Sequence, residues 1–92
     1  MDLNELRKRI DRTDDEIVRL VTERMDVAAE IAAYKKEHAL PIFQPERERE
    51  KLSDVAAKTR EDLQDEMQAV FRLLMEISRS RQNRICGSTE DD

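Results

Sequence analysis

The hydrophobic positions fall into three runs separated by two short breaks. In the first, Leu3, Leu6, Ile10, Ile17, Leu20, Val27, Ile31 and Tyr34 follow alternating three- and four-residue steps. That spacing belongs to one face of a helix with a long partner seam. No Gly or Pro interrupts the stretch from Asn4 to Glu37. A single helix is predicted there, roughly 50 Å long at about 1.5 Å per residue. The rest of a 92-residue chain is too small to cover such a stripe, so a second copy is expected to do it.

The first break is Leu40-Pro41-Ile42-Phe43-Gln44-Pro45. Each proline biases the residue before it out of the helical region, which ends the first helix near His38. Pro45 suits the first turn of a second helix, with Glu46 and Glu48 at its positive end. This helix is predicted to reach Lys58, with Leu52, Val55, Ala56 and Thr59 as its buried stripe. A third helix is predicted from Glu61 or Asp62 to about Ile85. Its inner stripe reads Met67, Val70, Phe71, Leu74, Ile77 and Ile85, and Gly87 stops it. The fold class is therefore all-α, with three helices per chain, one very long, paired as an intertwined helical homodimer. Residues 1–86 form one domain, and 87–92 a polar tail or the start of a linker.

Composition narrows the picture. The chain is 42% charged and 3% aromatic with one glycine, which suits a few long helices better than a sheet. A net charge of −5 argues against a non-specific grip on nucleic acid or anionic lipid. A small anionic ligand would need a local cluster of Arg and Lys set against that field. Cys86 and His38 are single, so neither an internal disulfide framework nor the usual Cys/His zinc site is available. No metal or cofactor is expected. The segment Met1-Asp2-Leu3-Asn4-Glu5 has no apolar run of the signal-peptide kind. A reducing cytoplasm is the expected location.

Candidate chemistry lies where polar residues interrupt apolar stripes. The seam 3, 10, 17, 24, 31 meets Arg24, and Lys35 returns to nearly the same azimuth three turns on. Between them Ala28, Ala29, Ala32 and Ala33 leave space beside the helix. Two cations about 16 Å apart along the axis could pinch a small dicarboxylate, or each could snorkel to solvent. Arg7 lies roughly 25 Å from Arg24 along the same helix. It cannot share a small ligand with Arg24 of its own chain, but an antiparallel partner helix would bring it there. By itself it also reads as a solvated charge. Arg47 lies in the alternating run Glu46-Arg47-Glu48-Arg49-Glu50, which reads mostly as a salt-bridged exposed face. Glu48 points inward, four residues before Leu52 and seven before Val55, and an inward carboxylate needs a partner. Ser78 and Gln82, one turn apart, continue the third stripe with hydrogen-bonding groups.

The succession Leu6-Arg7-Lys8-Arg9-Ile10-Asp11, Asp14, Ile17, Leu20, Glu23-Arg24, Ala28, Ile31, Lys35 resembles the first helix of the all-helical chorismate mutases. Leu40-Pro41-Ile42 with Pro45-Glu46-Arg47-Glu48-Arg49-Glu50 is similar to their second segment. Phe71, Leu74, Ile77-Ser78 and Arg81-Gln82 are similar to the third. The likeness runs from about residue 3 to 85 and is strongest to mutase domains fused ahead of a prephenate dehydratase. It implies a cofactor-free rearrangement of chorismate to prephenate in phenylalanine and tyrosine biosynthesis. It also implies roles. Arg24, and Arg7 from the partner chain, hold the substrate carboxylates, with Ser78 assisting. Lys35 and Gln82 bond the ether oxygen, Glu48 the ring hydroxyl, and Arg47 supports the edge. Gln44 stands where many members have Asp, at a position said to act through its backbone.

Two rivals stay open at this point. Some members of such a family act on isochorismate and release pyruvate. A non-enzymatic dimeric helical adaptor would explain the long seam, though not Arg24 within it. A ferritin-like metal bundle wants a Glu-x-x-His pair, and none exists around His38.

Overall fold

The computed structural model describes residues 2–87; the tail expected from 87 onward lies, apart from Gly87, outside the described residues. Helix α1 spans Leu3–Glu37, α2 Pro45–Lys58 and α3 Gln64–Ile85. A single 3-10 turn, Glu61–Leu63, leads into α3 where the sequence predicts that helix to begin. No strand occurs among the described residues, and none of their helices is long and apolar enough to cross a membrane.

Each boundary has a local cause. The Asp2 carboxylate accepts a 2.9 Å bond from the Glu5 amide, satisfying one of the free donors at the start of α1. At its other end the Leu40 amide reaches Lys35 O (2.8 Å) and the Ala39 amide reaches Lys36 O (3.4 Å). Ala39 sits at φ 54°, so this is a Schellman stop with alanine where glycine is usual. Pro45 takes the first position of α2, where its missing N–H costs nothing.

Both α1 and α2 pack on α3 and make no direct packing contact with each other. Along α3, Ser78 meets Arg24 and further on Cys86 meets Ala32, so α3 follows the C-terminal half of α1 in the same direction. Ala28 and Ala32 are buried at that crossing. Their small side chains let the two helices come close. The N-terminal half of α1 projects beyond this packing. The molecule measures 54 × 25 × 23 Å with a radius of gyration of 16.4 Å, against about 12 Å for a compact chain of this length.

The core is correspondingly thin: among the described residues Ala28, Ala32, Val55 and Met75 are the buried apolar ones, and no large side chain is fully enclosed. The α2 stripe falls as predicted, with Val55 buried and Leu52, Ala56 and Thr59 half-buried. In α3 Ser78 and Gln82 are buried, as their place on the predicted stripe requires, and Met67, Phe71 and Leu74 are half-buried. Val70, Ile77 and Ile85, expected inside, are exposed, and Met75 is buried instead. The cause is that α3 serves two neighbours on different sides while still carrying apolar residues on a third.

Candidate active site

The three helices and the loop between α1 and α2 line a partly open cavity of about 480 Å³, within the range of small-molecule sites. Arg24 and Lys35 enter it from α1, Glu48 and Arg47 from α2, Ser78 and Gln82 from α3, and Gln44 from the loop. Seven of the eight residues singled out in the sequence thus meet in one place. The eighth, Arg7, is exposed on the projecting half of α1 and does not line the cavity.

The cations do not snorkel. Arg24 donates to Ser78 Oγ at 2.7 Å, a bond between residues 54 apart in sequence. Lys35 donates to Gln82 Oε1 (3.1 Å) and to the Ile42 carbonyl (2.7 Å). The loop bounded by Pro41 and Pro45 supplies that carbonyl. Lys35 has three N–H donors, so these bonds leave one for a ligand oxygen. The bond from Lys35 also assigns the Gln82 amide: its oxygen faces the ammonium, so the Nε2 donors remain for something else. Burial lowers the pKa of Arg24 below its ordinary value, with the charge of Glu48 acting in the opposite sense. Burial lowers Lys35 too, opposed by Cys86 and Glu48.

Glu48 has the partner an inward carboxylate requires. Arg79 donates through Nη1 to both carboxylate oxygens. Its guanidinium also lies over the Phe43 ring, 5.0 Å from the centroid. Sequence reading missed Arg79, although its position one turn before Gln82 places it on the same face. Arg47 lines the rim while bonded to Glu50 at 2.7 Å. Gln44 is the N-cap of α2 without a side-chain cap bond; its carbonyl accepts from the Glu48 amide at 3.2 Å. Lys51 joins the lining as well. The described lining therefore carries five cations (Arg24, Lys35, Arg47, Lys51 and Arg79) against the single carboxylate of Glu48. In a chain of net charge −5 that is a strong local reversal.

An all-helical chain with a cationic, hydrogen-bonding cavity between its helices defines a binding site for a small organic anion. Residues 6–83 match the chorismate mutase type II family, and the chain belongs to that family. It is 31% identical to a chorismate mutase of Methanocaldococcus jannaschii over 97% of this chain and 92% of that protein. It is 55% identical to a bifunctional chorismate mutase/prephenate dehydratase of Aquifex aeolicus over 53% of this chain and 14% of that protein. A 39% identical stretch of the T-protein of Haemophilus influenzae covers half of this chain and 12% of its own. The chain thus aligns with only a small fraction of these two larger relatives. No solved structure gives a significant match.

Proposed function

We propose that the chain is a chorismate mutase, converting chorismate to prephenate by an intramolecular [3,3] shift. The observation that carries this reading is the convergence of Arg24, Lys35, Ser78 and Gln82 on one cavity where donors outnumber acceptors. In the rearrangement the ether C–O bond breaks as a C–C bond forms within one molecule. It needs neither nucleophile nor general base, only a compact conformer and stabilisation of charge on the ether oxygen. Arg24, already oriented by Ser78, takes one carboxylate. Lys35 and the Gln82 Nε2 donors take the ether oxygen, one charged and one neutral. Glu48 accepts from the ring hydroxyl. Arg47 closes the rim, and Gln44 sets the start of α2 through its backbone.

The second carboxylate is assigned to Arg7 of a partner chain. Supporting this, Leu3, Leu6, Ile10, Ile17 and Leu20 are between 41% and 61% exposed along the projecting half of α1. Val70, Leu73 and Ile77 form a second exposed apolar row on α3. A continuous apolar face of this kind marks an association surface, and a twofold homodimer would cover both copies of it. The free Cys86 thiol, donating to Ala32 O at 3.3 Å, suits a reducing compartment such as the cytoplasm. Fusion to a prephenate dehydratase in the whole protein is a further expectation, resting on the Aquifex relative.

The deciding experiment follows loss of chorismate absorbance and identifies the product. Prephenate is expected. Release of pyruvate from isochorismate with no turnover of chorismate would overturn the reading, and so would no turnover of either.

A further inference from the structure

The Glu48–Arg79 pair occupies a singular place. Together with Met75 it lines both the central cavity and a second one of about 370 Å³ on the outer side of α2 and α3, so the pair is part of the wall between them. Glu48 is the lone carboxylate among the described residues of the central cavity, and Arg24 and Lys35 line the same space. Its charge already reaches both, opposing the fall in their pKa values. A glutamate side chain has three rotatable bonds. Left free among cations, it would swing to the nearest of them and neutralise a group that the anionic substrate needs. Arg79 removes that freedom by taking both carboxylate oxygens, and its own guanidinium is steadied over Phe43 at 5.0 Å. One nitrogen shared by both oxygens occupies the whole carboxylate with a single charge-assisted contact.

We propose that Arg79 is a positioning residue: it holds the Glu48 carboxylate at the ring-hydroxyl end of the cavity and off Arg24 and Lys35. The inference rests on the mutase reading above. Arg79 touches no reacting atom; it acts through Glu48 alone. That restriction makes it testable, because removing Arg79 should matter only while Glu48 is present to be misplaced.

The experiment is a double-mutant cycle on kcat/KM for chorismate, using Arg79→Met, Glu48→Gln and the double variant, each checked for helical content by circular dichroism. Arg79→Met in the wild-type background should lower kcat/KM by about tenfold or more, as expected when one member of a part-buried pair is lost. Added to Glu48→Gln, it should change kcat/KM by less than about threefold, the non-additivity of residues that act as a unit. Arg79→Lys, which keeps the charge but not the planar guanidinium over Phe43, should recover part of the loss. Should Arg79→Met fail to fold, Arg79→Lys takes its place in the same cycle. Losses that multiply in an active enzyme overturn the role of Arg79 and leave the mutase reading intact. A wild-type chain without turnover overturns both.

Discussion

The two halves of α1 belong to one helix of 35 residues yet meet opposite surroundings. From Arg24 to Lys35 the helix buries Ala28 and Ala32 against α3 and sends its cations into the cavity. From Leu3 to Leu20 it presents a regular apolar stripe to water. The second half carries the chemistry with almost no large apolar side chain buried, whereas the first has the large side chains and nothing to bury them. Burying a leucine or isoleucine is worth about 1.5–3 kcal/mol. Leu3, Leu6, Ile10, Ile17 and Leu20 are 41–61% exposed, so each would add part of that amount if a partner covered the stripe. A single chain holds most of the candidate site; in the proposed homodimer the partner's Arg7 would complete it and the two stripes would cover each other.

The most drastic way to break this contrast is to charge the uncovered half. Ile10→Glu combined with Ile17→Glu places two carboxylates on a face that is harmless in a lone chain but buried in a pair. Sedimentation should then report the mass of one chain, and turnover should fall to background. The unaltered chain should melt at a temperature that rises with its concentration, as a linked assembly does. Unchanged mass and activity in the doubly charged variant would remove the stripe from any interface.

Within the covered half, Lys35→Ala should lower kcat and kcat/KM together, by roughly 3 kcal/mol or more if the ammonium acts as an oxyanion donor. A rise in KM alone would make Lys35 a ground-state carboxylate binder instead. The same residue sets a pH limit. The proposed role needs the protonated ammonium, and burial lowers its pKa. Activity should therefore be lost as pH rises, with the alkaline limb beginning below the ordinary lysine range. In the Lys35→Ala variant that limb should vanish from the pH–rate profile.

A smaller effect tests how the two halves cooperate across chains. Arg7→Ala and Arg24→Ala, each expected to be inactive alone, are unfolded together and refolded as a mixture. Every mixed dimer should hold one intact site, with Arg24 from the first variant and Arg7 from the second, and one doubly damaged site. Random pairing makes about half the dimers mixed, so activity should return to about a quarter of wild type under twofold symmetry. Mixed dimers confirmed by mass spectrometry but without activity would show that Arg7 does not complete the site.

The smallest effect lies where α1 stops. Ala39 adopts a left-handed backbone at φ 54°, a conformation that disfavours any residue with a Cβ. Ala39→Gly should stabilise the protein by about 0.5–1 kcal/mol, the relief at the turn being partly offset by a freer unfolded chain. An increased urea midpoint with an unchanged slope checks it.

Much of this arrangement was legible in the chain. Arg24, Lys35, Glu48, Ser78 and Gln82 stood out because each interrupts an apolar stripe, and burying a polar group demands a partner. The structure brings all five to one cavity. The stripe of α3 was read less well: Val70 and Ile77 were expected inside, and Met75 took the buried place. Periodicity reports that a face is apolar but not what covers it. A row facing a neighbouring helix and a row awaiting a second molecule have the same spacing.

Helix boundaries, the class of fold and the length of the uncovered seam follow from the sequence alone, because caps, prolines and periodicity act over a few residues. The pairing of Glu48 with Arg79, the bond from Lys35 to the Ile42 carbonyl and the sharing of α3 between two neighbours do not. A backbone carbonyl has no letter of its own, and Arg79 looks like any other arginine in a charged helix. Only the approach of segments 7 to 54 residues apart selects which donor meets which acceptor. That selection turned an acidic helical chain into one with a cationic cavity.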